Sequence, residues 1–157
     1  MSVLSNQVVL GLFKSEEGGA PKPSVDSLQV QSEGCVGDFQ RDKKHHGGPK
    51  RAVCIFSQDI IAKLQDDGNP ISAGDCGENM VFSNLDWDEI SEGIVLQVGS
   101  VRLKIESDAP PCKTISHAFK DGKFKQISQK SSPGNSRWYC SVLQEGIVSV
   151  GDTVEII

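Results

Sequence analysis

Short apolar runs, many of them β-branched and each cut off by Gly, Pro, Asp or Asn, constrain this chain more than any other feature. Val8-Val9-Leu10-Gly11-Leu12-Phe13 reads as an opening strand, and Leu28-Gln29-Val30 alternates as a half-buried strand should. Ala52-Val53-Cys54-Ile55-Phe56 has no polar position and reads as a buried strand. Two later segments, 93–105 and 146–156, resemble each other: a glycine separates a short apolar run from an alternating strand, as at the corner of a barrel. One helix has its own start and stop. Ser57 is placed to cap it, Asp59 sits in its first turn, Ile60, Ile61 and Leu64 share a face, and Asp67-Gly68-Asn69-Pro70 ends it. Residues 15–24 read as an exposed, mobile loop. The expectation is a mainly β chain, a closed or nearly closed barrel with a few short helices, in a single domain over residues 1–157. A doubly wound parallel sheet would need regular crossover helices, and this sequence lacks them.

Charge and cysteine usage narrow the function classes. A net charge of -5 argues against a general nucleic-acid binder, which needs an excess of Lys and Arg. No run approaches the ~18 apolar residues of a membrane span, and no basic residue precedes the first apolar run, so the expectation is a cytoplasmic protein with no membrane partner. The five cysteines, Cys35, Cys54, Cys76, Cys112 and Cys140, are odd in number and widely spaced. Neither a disulfide framework nor a zinc ribbon looks like that.

The chemistry-bearing residues fall in three places. Residues 37–51 reverse the overall charge: Arg41, Lys43, Lys44, Lys50 and Arg51 stand against Asp38 and Asp42, with His45 and His46 beside Gly47-Gly48-Pro49. Paired glycines let backbone N–H groups approach a ligand, and flanking Arg and His donors suit a phosphate or another anionic oxygen. A solvated basic loop is an open alternative, as is a metal site built from Cys35, His45, His46 and Cys54. In the second place, Pro110-Pro111-Cys112-Lys113 leaves a strand and starts a short helix whose inward face is Ile115 and Phe119. Cys112 then sits at a helix N-terminus beside Lys113, and both features favour the thiolate that ligates metal or carries a persulfide. An inert thiol is the alternative. A Cys–His pair with His117 is disfavoured, because helical i, i+5 spacing sets the two about 140° apart. Third, Gly77-Glu78-Asn79 reads as a tight turn that carries a carboxylate and an amide into the next strand.

Taken in order, Gly37-Asp38-x-Gln40 with His46-Gly47-Gly48-x-x-Arg51-Ala52-Val53-Cys54, then Gly77-Glu78-Asn79, then Pro111-Cys112, and the closing 146–157 segment, resemble the MOSC domain, named after the C-terminal part of molybdenum-cofactor sulfurases. The likeness spans about residues 7–157. It implies a barrel of the MOSC or pyruvate-kinase-barrel kind and a role in molybdenum-cofactor or sulfur chemistry. In characterised relatives the cysteine is a thiolate ligand to molybdenum held by a pterin dithiolene, and those enzymes reduce N-hydroxylated compounds such as hydroxylaminopurines. The resemblance implies Cys112 as the catalytic residue and molybdenum ligand. It implies cofactor binding by His45, His46, Gly47, Gly48, Arg51, Glu78, Asn79 and Lys113. Relatives often carry further electron-transfer segments that are not recognised here. The expected partner is therefore a separate electron-donor protein or a cofactor-biosynthesis enzyme, besides the N-hydroxylated small molecule. The alternative is a non-catalytic carrier of the cofactor or of a Cys112 persulfide. No lysine has a Schiff-base setting, so no pyridoxal phosphate is expected.

Overall fold

The computed structural model describes residues 6–39 and 48–157. Its strands are β1 (Val8–Phe13), β2 (Ser24–Val25), β3 (Ser27–Gln31), β4 (Gly34–Cys35), β5 (Val53–Ser57), β6 (Met80–Ser83), β7 (Val95–Val98), β8 (Val101–Ala109), β9 (Arg137–Gln144), β10 (Gly146–Ser149) and β11 (Val154–Ile156). They make an eight-stranded sheet in the order β11-β7-β8-β9-β5-β6-β1-β2 and a three-stranded sheet in the order β10-β3-β4. Every residue of β5 is buried, as the all-apolar run demanded, because the strand lies between β9 and β6. The β5–β6 pair is parallel and so requires a crossover. The crossover contains α1 (Gln58–Asp66), capped by Ser57, whose hydroxyl accepts from Asp59 N at 3.1 Å and Ile60 N at 3.3 Å. Ile61 and Leu64 are its buried face. No helix among the described residues is long and apolar enough to cross a membrane.

The chain is mainly β, with one large mixed sheet, but its ladders do not close into the expected barrel. The strand order runs from β11 to β2 without returning. The outer edge of β1 is taken by β2 at Leu12 and Phe13, which leaves only its first residues to face the β11 side. There the two sides meet at a single bridge, Val8 to Thr153, with Val9 N donating to Asp152 O at 2.8 Å and Val154 N to Gln7 O at 2.9 Å.

The two look-alike segments prove to be different devices. Gly99 and Ser100 make the tight turn of the β7–β8 hairpin, where Val98 pairs with Val101. In the second segment the chain changes sheets: β10 pairs with β3, while β11 pairs with β7. Loop length decides between them, since four residues from Val150 to Thr153 separate the latter strands and two separate the former.

Candidate functional site

Strand ends from the middle of the large sheet gather around one cavity of about 360 Å³. β5 contributes Cys54, β9 contributes Arg137 and Tyr139, and the exit from β8 contributes Pro110, Cys112, Thr114 and Ile115. The same cavity is lined by the turn bearing Cys76, Gly77 and Asn79, and by Gly19, Ala20, Lys22 and Phe39 from earlier in the chain. The cavity is lined by two cations, Lys22 and Arg137, and by no carboxylate among the described residues.

Cys112 is the one exposed cysteine; Cys35, Cys54, Cys76 and Cys140 are buried. Burial pushes the Cys54 thiol up to about 11 and the Cys35 thiol up to about 12, and it raises Cys76 and Cys140 as well. The helix expected after Cys112 is a six-residue 3-10 stretch, Lys113–Ala118, with buried Ile115 and Ala118. So short a stretch supplies little of the expected macrodipole. Cys112 Sγ lies 2.8 Å from Thr114 Oγ1. His117 lies apart from that thiol's contacts: its Nε2 is 3.1 Å from the Asp75 carbonyl.

The part of the lining that bears Lys22 and Asn79 is held by a buried polar network. Asp38, 2% exposed at its side chain, accepts from Lys22 Nζ at 2.8 Å, Asn79 Nδ2 at 2.8 Å and Ser15 N at 2.9 Å. Asn79 Oδ1 accepts from Cys54 N at 3.0 Å, and its Nδ2 also donates to Phe13 O at 3.2 Å. One amide therefore ties β1, β5 and the 37–39 segment together. Loop 15–24, expected to be mobile, is pinned by the same network, because the Lys22 side chain is 8% exposed and ion-paired. Glu78 lies beneath the wall, fully buried, and accepts from Gly74 N at 2.9 Å and Cys76 N at 3.1 Å. Burial raises its carboxyl, while those N–H bonds and the charge of Arg137 act the other way.

Arg137 and Tyr139 complete the floor. Arg137 Nη1 donates to Cys76 O at 2.6 Å and Nη2 to Ala109 O at 3.2 Å, and its buried Nε–H has no protein acceptor. Burial opposes its charge, while neighbouring acidic groups, Glu78 among them, favour it, and the balance keeps the guanidinium protonated. The Arg51 guanidinium stands over the Tyr139 ring, 5.4 Å from its centroid. Burial pushes the Tyr139 phenol up to about 12, with Cys54 and Cys112 pushing the same way and Arg137 and Arg51 opposing.

With this geometry in place, the family model of the MOSC domain matches residues 42–155. The chain belongs to the MOSC domain family. It is similar to YflK of Bacillus subtilis, 26% identical over 145 residues that cover 92% of this chain and 65% of YflK. It is also similar to YiiM of Escherichia coli, 26% identical over 160 residues that cover 96% of this chain and 70% of YiiM. This MOSC chain therefore spans about two thirds of the curated relatives it matches. Among solved structures, the YUAD protein of Bacillus subtilis superposes with a TM-score of 0.72 at 20% identity, covering 96% of this chain and 94% of that one, a likeness of fold.

Within this MOSC domain, the singled-out residues come together unevenly. Cys112 and Asn79 line the cavity, and Arg51 joins its wall through Tyr139. Glu78 sits behind the wall, and Lys113 is exposed on the 3-10 stretch outside it. Gly48, at a φ of 90° where a side chain would be strained, lines an adjoining cleft of about 540 Å³ that shares Phe39. His45, His46 and Gly47 lie outside the described residues. Cys35 and Cys54, the described half of the alternative metal set, line different cavities. Sequence reasoning missed Arg137, Tyr139 and Lys22. Arg137 did leave a signal, since it opens the run Arg137-Trp138-Tyr139-Cys140-Ser141-Val142. A guanidinium among aromatics in a buried strand needs a reason.

Proposed function

We propose that this MOSC domain holds a molybdenum cofactor with Cys112 as thiolate ligand and reduces N-hydroxylated small molecules. The observation that carries the reading is a cavity with one accessible thiol at its edge and no described carboxylate in its lining, and with the Arg51 guanidinium standing over the Tyr139 ring of that lining. Its volume falls within the usual range for cofactor sites, and the donor set fits: the soft Cys112 sulfur for the metal, and the Arg51 guanidinium and Lys113 ammonium for an anionic pterin phosphate. Arg51, with residues 45–48 and Lys113, would bind the anionic end. Asn79 and Glu78 would orient the ligand from behind, by fixing the wall, because their side chains are engaged by protein groups. The bound cofactor supplies the two-electron chemistry that cleaves an N–O bond. The electrons come from a separate donor protein, and two protons from solvent leave water and the reduced nitrogen as products. Tyr139 Oη keeps its proton across the neutral range and serves as a hydrogen-bond donor in the pocket. The same reading takes the Val8–Thr153 bridge as the seam of a barrel, and the cytoplasm as the compartment that supplies the donor.

A second reading has one observation in its favour. No Asp, Glu or His is found among the described lining residues, so proton delivery is poorly served. A carrier of the cofactor, or of a Cys112 persulfide passed to a biosynthetic partner, needs none. Purification from a host that makes the cofactor, metal and pterin analysis, and a hydroxylaminopurine assay with an artificial electron donor separate the two. Bound molybdenum with turnover supports the reductase, and bound metal or a persulfide mass without turnover supports the carrier. Full metal content and activity in Cys112→Ala overturn both.

A further inference from the structure

The span that carries Cys112 is held in place by side chains from elsewhere. Pro110 and Pro111 have no N–H to donate, so the exit from β8 cannot be fixed by its own ladder. Instead Arg137 Nη2 donates to Ala109 O at 3.2 Å and to Pro110 O at 3.4 Å, while Nη1 reaches Cys76 O at 2.6 Å. At the far end, His117 Nε2 is bonded to Asp75 O at 3.1 Å. Residues 109–117 are therefore pinned at both ends to two consecutive residues of one turn. That turn is held in its own right by the Glu78 carboxylate on Gly74 N and Cys76 N.

We propose that Arg137 is a positioning residue for Cys112, its guanidinium clamping the carbonyls of Ala109 and Pro110 to that of Cys76 so that the thiol is presented at the cavity. The inference deepens the reading of Cys112 as the working atom of the site. Stability alone does not call for this residue. A buried cation with no carboxylate in contact among the described residues is costly, and an apolar side chain of similar volume would fill the space. What arginine adds is a planar fork that reaches carbonyls on two separate segments at once, which a lysine point charge does not reproduce. The idle Nε–H is consistent with a group placed for the reach of its two outer nitrogens.

The test reads the thiol directly and needs no cofactor. Iodoacetamide labelling of the native full chain is followed by intact mass between about pH 6 and pH 10, with Cys112→Ala identifying the signal. Arg137→Gln should change the labelling rate about fivefold or more and displace its pH profile. Leu64→Ala, a core truncation on α1 away from the site, controls for lost stability and should label within about twofold of the parent. Arg137→Lys, which keeps the charge and part of the bonding, should fall between. Labelling of Arg137→Gln within about twofold of the parent at every pH overturns the proposal; so does parent-like labelling of Arg137→Lys if Arg137→Gln does not fold. If labelling shifts as expected but the purified chain holds no metal, the cofactor reading fails and the positioning role stands.

Discussion

Removing the Asp38 carboxylate should be among the most damaging single changes outside the apolar core. Asp38→Ala leaves the Lys22 ammonium, 8% exposed, with no counter-ion and leaves Ser15 N without its acceptor. Asn79 Nδ2 keeps its second bond, to Phe13 O. Breaking a buried ion pair by deleting one partner costs about 3–5 kcal/mol, against about 0–1 kcal/mol for an exposed pair. A loss of about 4 kcal/mol corresponds to roughly a thousandfold in the folding equilibrium and to a fall of about 8–16 °C in Tm for a domain of this size. Lys22→Met should cost less, about 2 kcal/mol, because two N–H donors still serve the carboxylate. The double variant Lys22→Met/Asp38→Ala should be more stable than Asp38→Ala alone, since no charge is then stranded. Urea titration of the four proteins gives the cycle. A loss under about 1 kcal/mol in Asp38→Ala, or strictly additive single effects, would refute the claim that this network is buried and coupled.

Native chain treated with iodoacetamide at neutral pH should gain a single label, on Cys112, and up to five after denaturation, because the other thiols are buried; early labelling at Cys54 or Cys76 would contradict the closed floor. Glu78 has a raised folded pKa, so its stabilising contribution is fully present below the unfolded value of about 4.3 and is lost as pH rises through the folded value. Glu78→Gln should flatten that part of the stability profile measured by thermal melts at stepped pH. Ser57→Ala removes the acceptor for Asp59 N and Ile60 N and should lower stability by about 0.5–2 kcal/mol in urea titration.

Where a property was local, the sequence announced it. The cap at Ser57, the stop at Asp67-Gly68 and the wholly buried β5 follow from residues within a turn or two of one another, and each stands where the pattern places it. Closure is not local. It depends on which edge of β1 is already occupied, and two residues of β2 decide that. The paired look-alike segments show the same limit, since a glycine marks a bend without saying whether the next strand returns to the same sheet. Arg137 was invisible for a related reason: its three carbonyl acceptors lie 27, 28 and 61 residues away in sequence.

The two motif residues expected to help bind and orient a ligand, Glu78 and Asn79, show how a motif's place can be legible in sequence while the partners of its side chains are not. Both occur where a turn meets β6, as their glycine predicted. Yet Glu78 has its carboxylate on two backbone N–H groups behind the wall, and Asn79 has its amide on β1, β5 and Asp38. Their chemistry is spent on holding a surface still. A cavity assembled from strand ends and loops has no ladder of its own across its walls, so side-chain amides, carboxylates and one guanidinium must take over that task. That leaves Cys112, on a span that two prolines deprive of backbone donors, dependent on groups far along the chain for where its sulfur sits. Precision at the thiol is thus a tertiary property, and substitutions behind the wall should disturb it as surely as substitutions beside it.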